Sequence, residues 1–205
     1  MKSLYLLLGS EGALADRALA KIMAELKEEK CEITTISSAD AILGDISDAL
    51  APSLFSERRA LIIKDLQDLP EESRDEITRY LDAQDDLTTL VFVHKGGVKG
   101  KALVDKIKKA GAQLIAADAI KKDSEKAEFV RAEFKRLGRK ITTEAVQALI
   151  DSLGSDLREL GGACSQLASD VADGKVIDED DVADYQQGRI ETTGYDVADA
   201  VLDGK

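Results

Sequence analysis

"SLYLLLGSEGALADRALAKIMAELKEEK", residues 3–30, decides how the rest of the chain is read. Residues 3–9 are an unbroken apolar run ended by Gly9, the pattern of a strand buried on both faces. Residues 15–30 switch to helical spacing, with Leu19, Ile22, Met23 and Leu26 on one side. The alternation recurs downstream. Strand patterns fall at 32–37 ("EITTIS"), 59–66 ("RALIIKDL"), 88–94 ("TTLVFVH") and 112–118 ("AQLIAAD"). Between them lie a broken helix at 40–50 and helices at 71–84 and about 101–110. Five strands separated by helices require crossover connections, so the class is α/β, with a five-stranded, mainly parallel sheet covered by helices on both faces.

Past Asp118 the strand pattern stops. Residues 122–138 set Phe129, Val130, Phe134 and Leu137 at helical spacing ahead of Gly138, and 142–154 repeat that logic ahead of Gly154. Residues 155–173 read as a third helix with Ser155 as its N-cap. The expected organisation is a sheet domain over 1–119, a small three-helix domain over 120–185, and a linker with the start of a further helical domain over 186–205. That last helix has nothing left to pack on, so the chain reads as a fragment.

With 205 residues, 44% of them hydrophobic, the chain can bury a sizeable core. A net charge of −12 excludes a protein that coats nucleic acid through bulk charge, so any DNA contact must be a local patch. Cys31 and Cys164 are far apart, without a C-x-x-C or a histidine cluster, which argues against a disulfide framework and against zinc. The amino terminus is too short in apolar residues for a signal sequence, and no run approaches the roughly 20 residues of a membrane span. A cytoplasmic protein with no membrane partner is expected.

A strand, a glycine and a helix invite a phosphate-binding loop, G-x-x-x-x-G-K-[ST]. Gly9 fits, but Leu14, Ala15 and Asp16 stand where glycine, lysine and a hydroxyl are needed, and Glu11 and Asp16 would repel a polyphosphate. On the third strand the run "ALIIK" ends in Lys64, with Asp65 one position late for a magnesium-binding carboxylate. A working P-loop is therefore not expected, nor a bound nucleotide. "KGGVKGKAL", 95–103, is the other candidate anion loop, one residue short of P-loop spacing between Gly96 and Gly100 and with Ala102 for the hydroxyl. A flexible loop before a solvated basic helix is the alternative. Lys99, Lys101, Lys106, Lys108 and Lys109 make this the one strongly basic stretch, a candidate contact for DNA or an acidic partner.

Catalytic signatures are lacking. His94, the single histidine, has no nucleophile signature beside it, and Cys164 falls on a small-residue helix face as core. "DEDDVAD", 178–184, lacks the glycine-centred spacing of a calcium loop and reads as a solvated helix start. No catalytic residue, metal site or cofactor is expected. One stretch escapes all periods: in "APSLFSERRALII", 51–63, Leu54 and Phe55 have no inward face set by helix or strand spacing. They either cap the edge of the sheet as core or serve a partner's pocket.

Several stretches, in order along the chain, carry a resemblance: "YLLLGSEG", "SLFSERRALII", "LVFVHKGGVKGKALVDKIKKAGAQ", "FVRAEFKRLGRKITTEAVQALIDSLGSDLRELGGACSQL" and "YDVADAVLDG". Each is weak alone. Together the sequence resembles the delta subunit of the bacterial DNA polymerase III clamp loader. The resemblance implies an AAA+-like domain without a working nucleotide site, a helical lid, and a collar that joins the loader pentamer with the gamma/tau and delta prime subunits. It also implies no intrinsic ATPase activity, within the holoenzyme of a DNA-directed DNA polymerase. In that family a short hydrophobic element enters a pocket on the sliding clamp (beta) and springs one ring interface open, so that the clamp is loaded on primed DNA during replication. The matching positions are Pro52, Ser53, Leu54 and Phe55, which keep the Leu-Phe pair, with Pro52 where relatives can carry an aliphatic such as Met. Two other readings stay open: a P-loop-like nucleotide-binding enzyme, and a DNA-binding module using 95–109.

Overall fold

Residues 2–52 and 56–188 are described by a computed structural model of the chain. They divide between Ala119 and Ile120 into two compact units. The first contains β1 (Leu4–Leu8), α1 (Gly12–Glu28), β2 (Glu32–Ser37), α2 (Asp45–Leu50), β3 (Arg59–Lys64), a 3-10 turn (Leu66–Asp68), α3 (Glu71–Asp82), β4 (Thr88–His94), α4 (Lys101–Lys109) and β5 (Gln113–Ala116). The sheet order is β2-β3-β4-β1-β5 and every pairing is parallel. Parallel neighbours cannot be joined by tight hairpins, so each helix carries the chain back across a face.

The unbroken apolar runs of β1, β3 and β4 follow from this arrangement, because each of the three has a neighbour on either side and helices on both faces. On one face Leu6, Leu61, Ile63, Leu90 and Phe92 pack with Ile46 of α2, Ile77 of α3 and Ile107 of α4. On the other, Tyr5, Leu7, Ala60, Ile62 and Val91 pack with Leu19, Ile22 and Leu26 of α1. The edge strands β2 and β5 are only partly covered and keep polar residues.

Three boundary shifts in this unit have a local cause. α1 begins at Gly12, three residues before 15, because the Glu11 carboxylate accepts from the Ala13 amide as an N-cap. The broken helix at 40–50 shortens to α2, since Gly44 enters it in the left-handed region at φ 102°. β3 stops at Lys64, because Asp65 turns left-handed at φ 54° ahead of the 3-10 turn.

The second unit contains α5 (Asp123–Arg136), α6 (Thr143–Leu153) and α7 (Leu157–Asp170). Phe129, Val130 and Phe134 of α5, Val146, Leu149 and Ile150 of α6, and Leu160, Cys164 and Leu167 of α7 are buried. Asp156, not Ser155, caps α7: its carboxylate reaches the Arg158 and Glu159 amides at 2.8 and 3.1 Å. The Arg139 guanidinium donates to the carbonyls of Ala168 and Ala172 at the far end of that helix. Residues 179–188 are also helical, and the acidic run starts them: the Asp178 and Asp181 carboxylates each accept the other's backbone N–H, at 3.2 and 3.1 Å. The expected start of a further domain, 189–205, lies outside the described residues.

Candidate functional site

The stretch 52–55 is strung between α2 and β3. Pro52 is exposed; Ser53, Leu54 and Phe55 lie outside the described residues. The described chain before and after them is tied down by hydrogen bonds and ion pairs. Upstream, Glu76 projects from the buried face of α3 with only 4% exposure. Its carboxylate accepts from the Gly44 amide at 2.9 Å, the Ser47 amide at 2.9 Å and the Ser47 hydroxyl at 2.6 Å. It therefore caps α2 from another element. Burial pushes its pKa up, but the bonds from Ser47 and Gly44 outweigh that and hold it below the ordinary glutamate value.

Downstream, the Ser56 hydroxyl donates to the Arg58 carbonyl at 2.7 Å, and Arg58 pairs with Glu29 at 3.3 Å. Arg59, the first residue of β3, pairs with Asp85 at 3.1 Å. Asp85 also accepts from the Leu87 amide at 2.8 Å and the Thr88 hydroxyl at 2.9 Å, and it too is held below its ordinary value, these bonds and Arg59 outweighing its burial. Neither Glu76 nor Asp85 was singled out by sequence patterns. Glu76 had a usable signal: with Ser73, Ile77 and Leu81 it occupies the buried stripe of α3, where an ionisable residue needs partners.

At the carboxyl end of β1 the turn is short and closely packed. Only Gly9, Ser10 and Glu11 separate β1 from α1, so positions 14–16 already lie inside the helix. The Gly9 amide donates to the His94 carbonyl at 3.1 Å and the Glu11 amide to the Ala117 carbonyl at 2.8 Å. A Cβ at Gly9 would sit 2.0 Å from the Ala117 carbonyl carbon and oxygen. The turn is thus pressed against the chain leaving β5. Asp65 pairs with Lys95 at 2.8 Å, and that bond draws its carboxyl below the usual range.

The glycine-rich loop after β4 is organised by His94, which is 1% exposed. Its Nδ1 accepts from the Gly96 amide at 2.9 Å, so Nε2 carries the proton and donates to the Lys99 carbonyl at 2.8 Å. Gln67 accepts from the Lys95 amide at 3.1 Å, and the Lys99 ammonium meets Asp68 at 2.6 Å. Gly100 enters α4 at φ 74°, where a Cβ would lie 3.3 Å from the Gln67 backbone. Burial of Leu103, Val104 and Ile107 leaves Lys101, Lys106, Lys108 and Lys109 on the exposed side of α4. The structure thus gathers four of the five candidate lysines on one helix and commits Lys99 to a carboxylate. In the second unit, burial pushes the Cys164 thiol up to about 12, as suits a core residue.

Among the described residues no group of three or more His, Cys, Asp or Glu side chains is placed to hold a metal ion, and no helix is long and apolar enough to cross a membrane.

No family model matches the chain, and no curated protein does. Solved structures do match, and they define the class: the fold is AAA+-like. Thermotoga maritima RuvB, described as a Holliday junction branch migration motor, matches 89% of this chain and 61% of its own length at 16% identity and a TM-score of 0.56. A substituted form of the same RuvB matches 90% and 62% at 18% identity, with a TM-score of 0.59. More particularly, the Bacillus subtilis DNA clamp loader delta protein (YqeN) matches 100% of this chain and 69% of its own length, at 18% identity and a TM-score of 0.67. At these identities the likeness is one of fold.

Proposed function

We propose that this chain is the clamp-contacting part of a clamp loader, a delta-type subunit that binds a sliding clamp through Pro52, Ser53, Leu54 and Phe55. The observation that carries the reading is the likeness, over the whole of this chain and 69% of the other, to a DNA clamp loader delta protein, in a fold whose turn from β1 to α1 is packed against Ala117 through Gly9 and Glu11. A loader subunit that acts by docking rather than hydrolysis needs no phosphate pocket. ATP hydrolysis then belongs to other subunits, and this chain performs no covalent chemistry.

Burying Leu54 and Phe55 in a partner pocket contributes roughly 1.5–3 kcal/mol each, and Pro52 restricts the backbone before docking. Opening the ring requires tighter binding to the open clamp than to the closed one, since a ligand shifts an equilibrium only by its differential affinity. The three helices after Ala119 serve as a lid, and the region from 186 begins a collar that meets the gamma/tau and delta prime subunits. DNA contact within the assembled loader falls to Lys99, Lys101, Lys106, Lys108 and Lys109. The setting is the cytoplasm.

The deciding experiment is equilibrium binding to the cognate beta clamp. Leu54→Ala with Phe55→Ala is expected to weaken binding more than about a hundredfold, with the thermal midpoint unchanged. Parent-like affinity of that double variant would sink the site assignment.

A further inference from the structure

Among the large apolar side chains exposed in the described residues, only Ile42 and Leu43 are consecutive, at 68% and 69% exposure. Solitary exposed apolar residues are ordinary on protein surfaces. This pair is different because its backbone is fixed. Ala41 before it and Ile46 after it are buried in the sheet's core. The Ile42 amide donates to the Asp45 carboxylate at 3.0 Å, the Asp45 amide returns to the Ile42 carbonyl at 3.3 Å, and Glu76 holds Gly44 and Ser47. Two apolar side chains are therefore turned outward on a turn whose geometry is set in advance, which lowers the entropy lost on docking.

The pair precedes Pro52 by one short helix. Only Gly44, the six residues of α2 and Ala51 lie between the pair and Pro52; the helix rises about 9 Å, short against the roughly 30 Å breadth of a standard interface patch of about 800 Å² per partner. Residues 38–52 carry Asp40, Asp45 and Asp48 and no lysine or arginine. We propose that Ile42 and Leu43 are a second anchor for the same partner that receives Leu54 and Phe55, which meets them with an apolar depression bordered by lysine or arginine. This rests on the clamp-binding reading above.

The test compares binding of the cognate beta clamp by the parent chain, Ile42→Ser with Leu43→Ser, and Leu54→Ala with Phe55→Ala. The serine pair is expected to lose about tenfold in affinity, mostly through faster dissociation, at an unchanged melting temperature. Asp40→Asn with Asp48→Asn is expected to slow association and flatten its salt dependence. If the alanine pair abolishes binding while the serine pair binds like the parent, the second anchor is wrong and the clamp reading stands. Failure of the parent to bind the clamp removes both. Sedimentation of the parent as a dimer that the serine pair dissolves assigns the patch to a second copy of this chain and overturns the proposal.

Discussion

Glu76 is a single carboxylate on which the geometry of a neighbouring helix depends. Glu76→Ala removes the acceptor of three hydrogen bonds to Gly44 and Ser47, and a loss of about 1.5–3 kcal/mol in denaturant-monitored stability is expected. Because the folded state lowers the pKa from 4.5, the unfolded chain holds its proton to higher pH than the folded one. The stabilisation is thus complete above that value and is lost as pH falls through the depressed folded value. Glu76→Gln should flatten this acid limb relative to the parent, as read by urea titrations across the acidic range. Gly9 makes the opposite kind of demand, for absence rather than presence of atoms. With a Cβ only 2.0 Å from Ala117, Gly9→Ala should cost about 1–3 kcal/mol by the same measurement. Gly9 stood out in the sequence only as the end of a strand; its close approach depends on a residue more than a hundred positions away.

At the level of elements, two of the strands were the most legible. β2 and β4 fall at 32–37 and 88–94 as their patterns predict, because period-2 alternation and continuous apolar runs register burial directly. Helix starts were less legible where the cap broke habit. Glu11 is an uncommon N-cap, and Asp156 competes with the adjacent Ser155, so the choice depends on where each side chain lies once the chain has turned. The loop 95–100 shows the same limit: its glycines and lysines were visible, but not that a buried histidine ties Gly96 to Lys99. His94→Ala is expected to speed amide exchange at Gly96 by about tenfold, the consequence of one lost hydrogen bond, while exchange in α6 stays unchanged. The anchored flanks of 52–55 were not legible either, since they join Glu76 and Asp85 to residues about 30 positions away.

For the whole molecule, alternation of strands and helices predicted an α/β class, and the wholly parallel sheet agrees with it. The likeness to motors and to a loader subunit alike shows why fold alone does not choose between them. Nucleotide binding at the end of β1 is the property that would separate them. Millimolar Mg-ATP is expected to leave the thermal midpoint unmoved, whereas occupancy at a hundred times the dissociation constant would add about 2.7 kcal/mol. Differential scanning fluorimetry with and without nucleotide checks this directly. The three-residue turn from β1 to α1 also has a meaning for anyone redesigning the protein. Writing glycine, lysine and threonine at 14–16 would merely decorate the inside of a helix. Building an arch around a phosphate would require inserted residues ahead of Gly12 and withdrawal of the chain near Ala117. Such a design is thus a matter of lengthening the backbone, beyond the reach of substitutions alone.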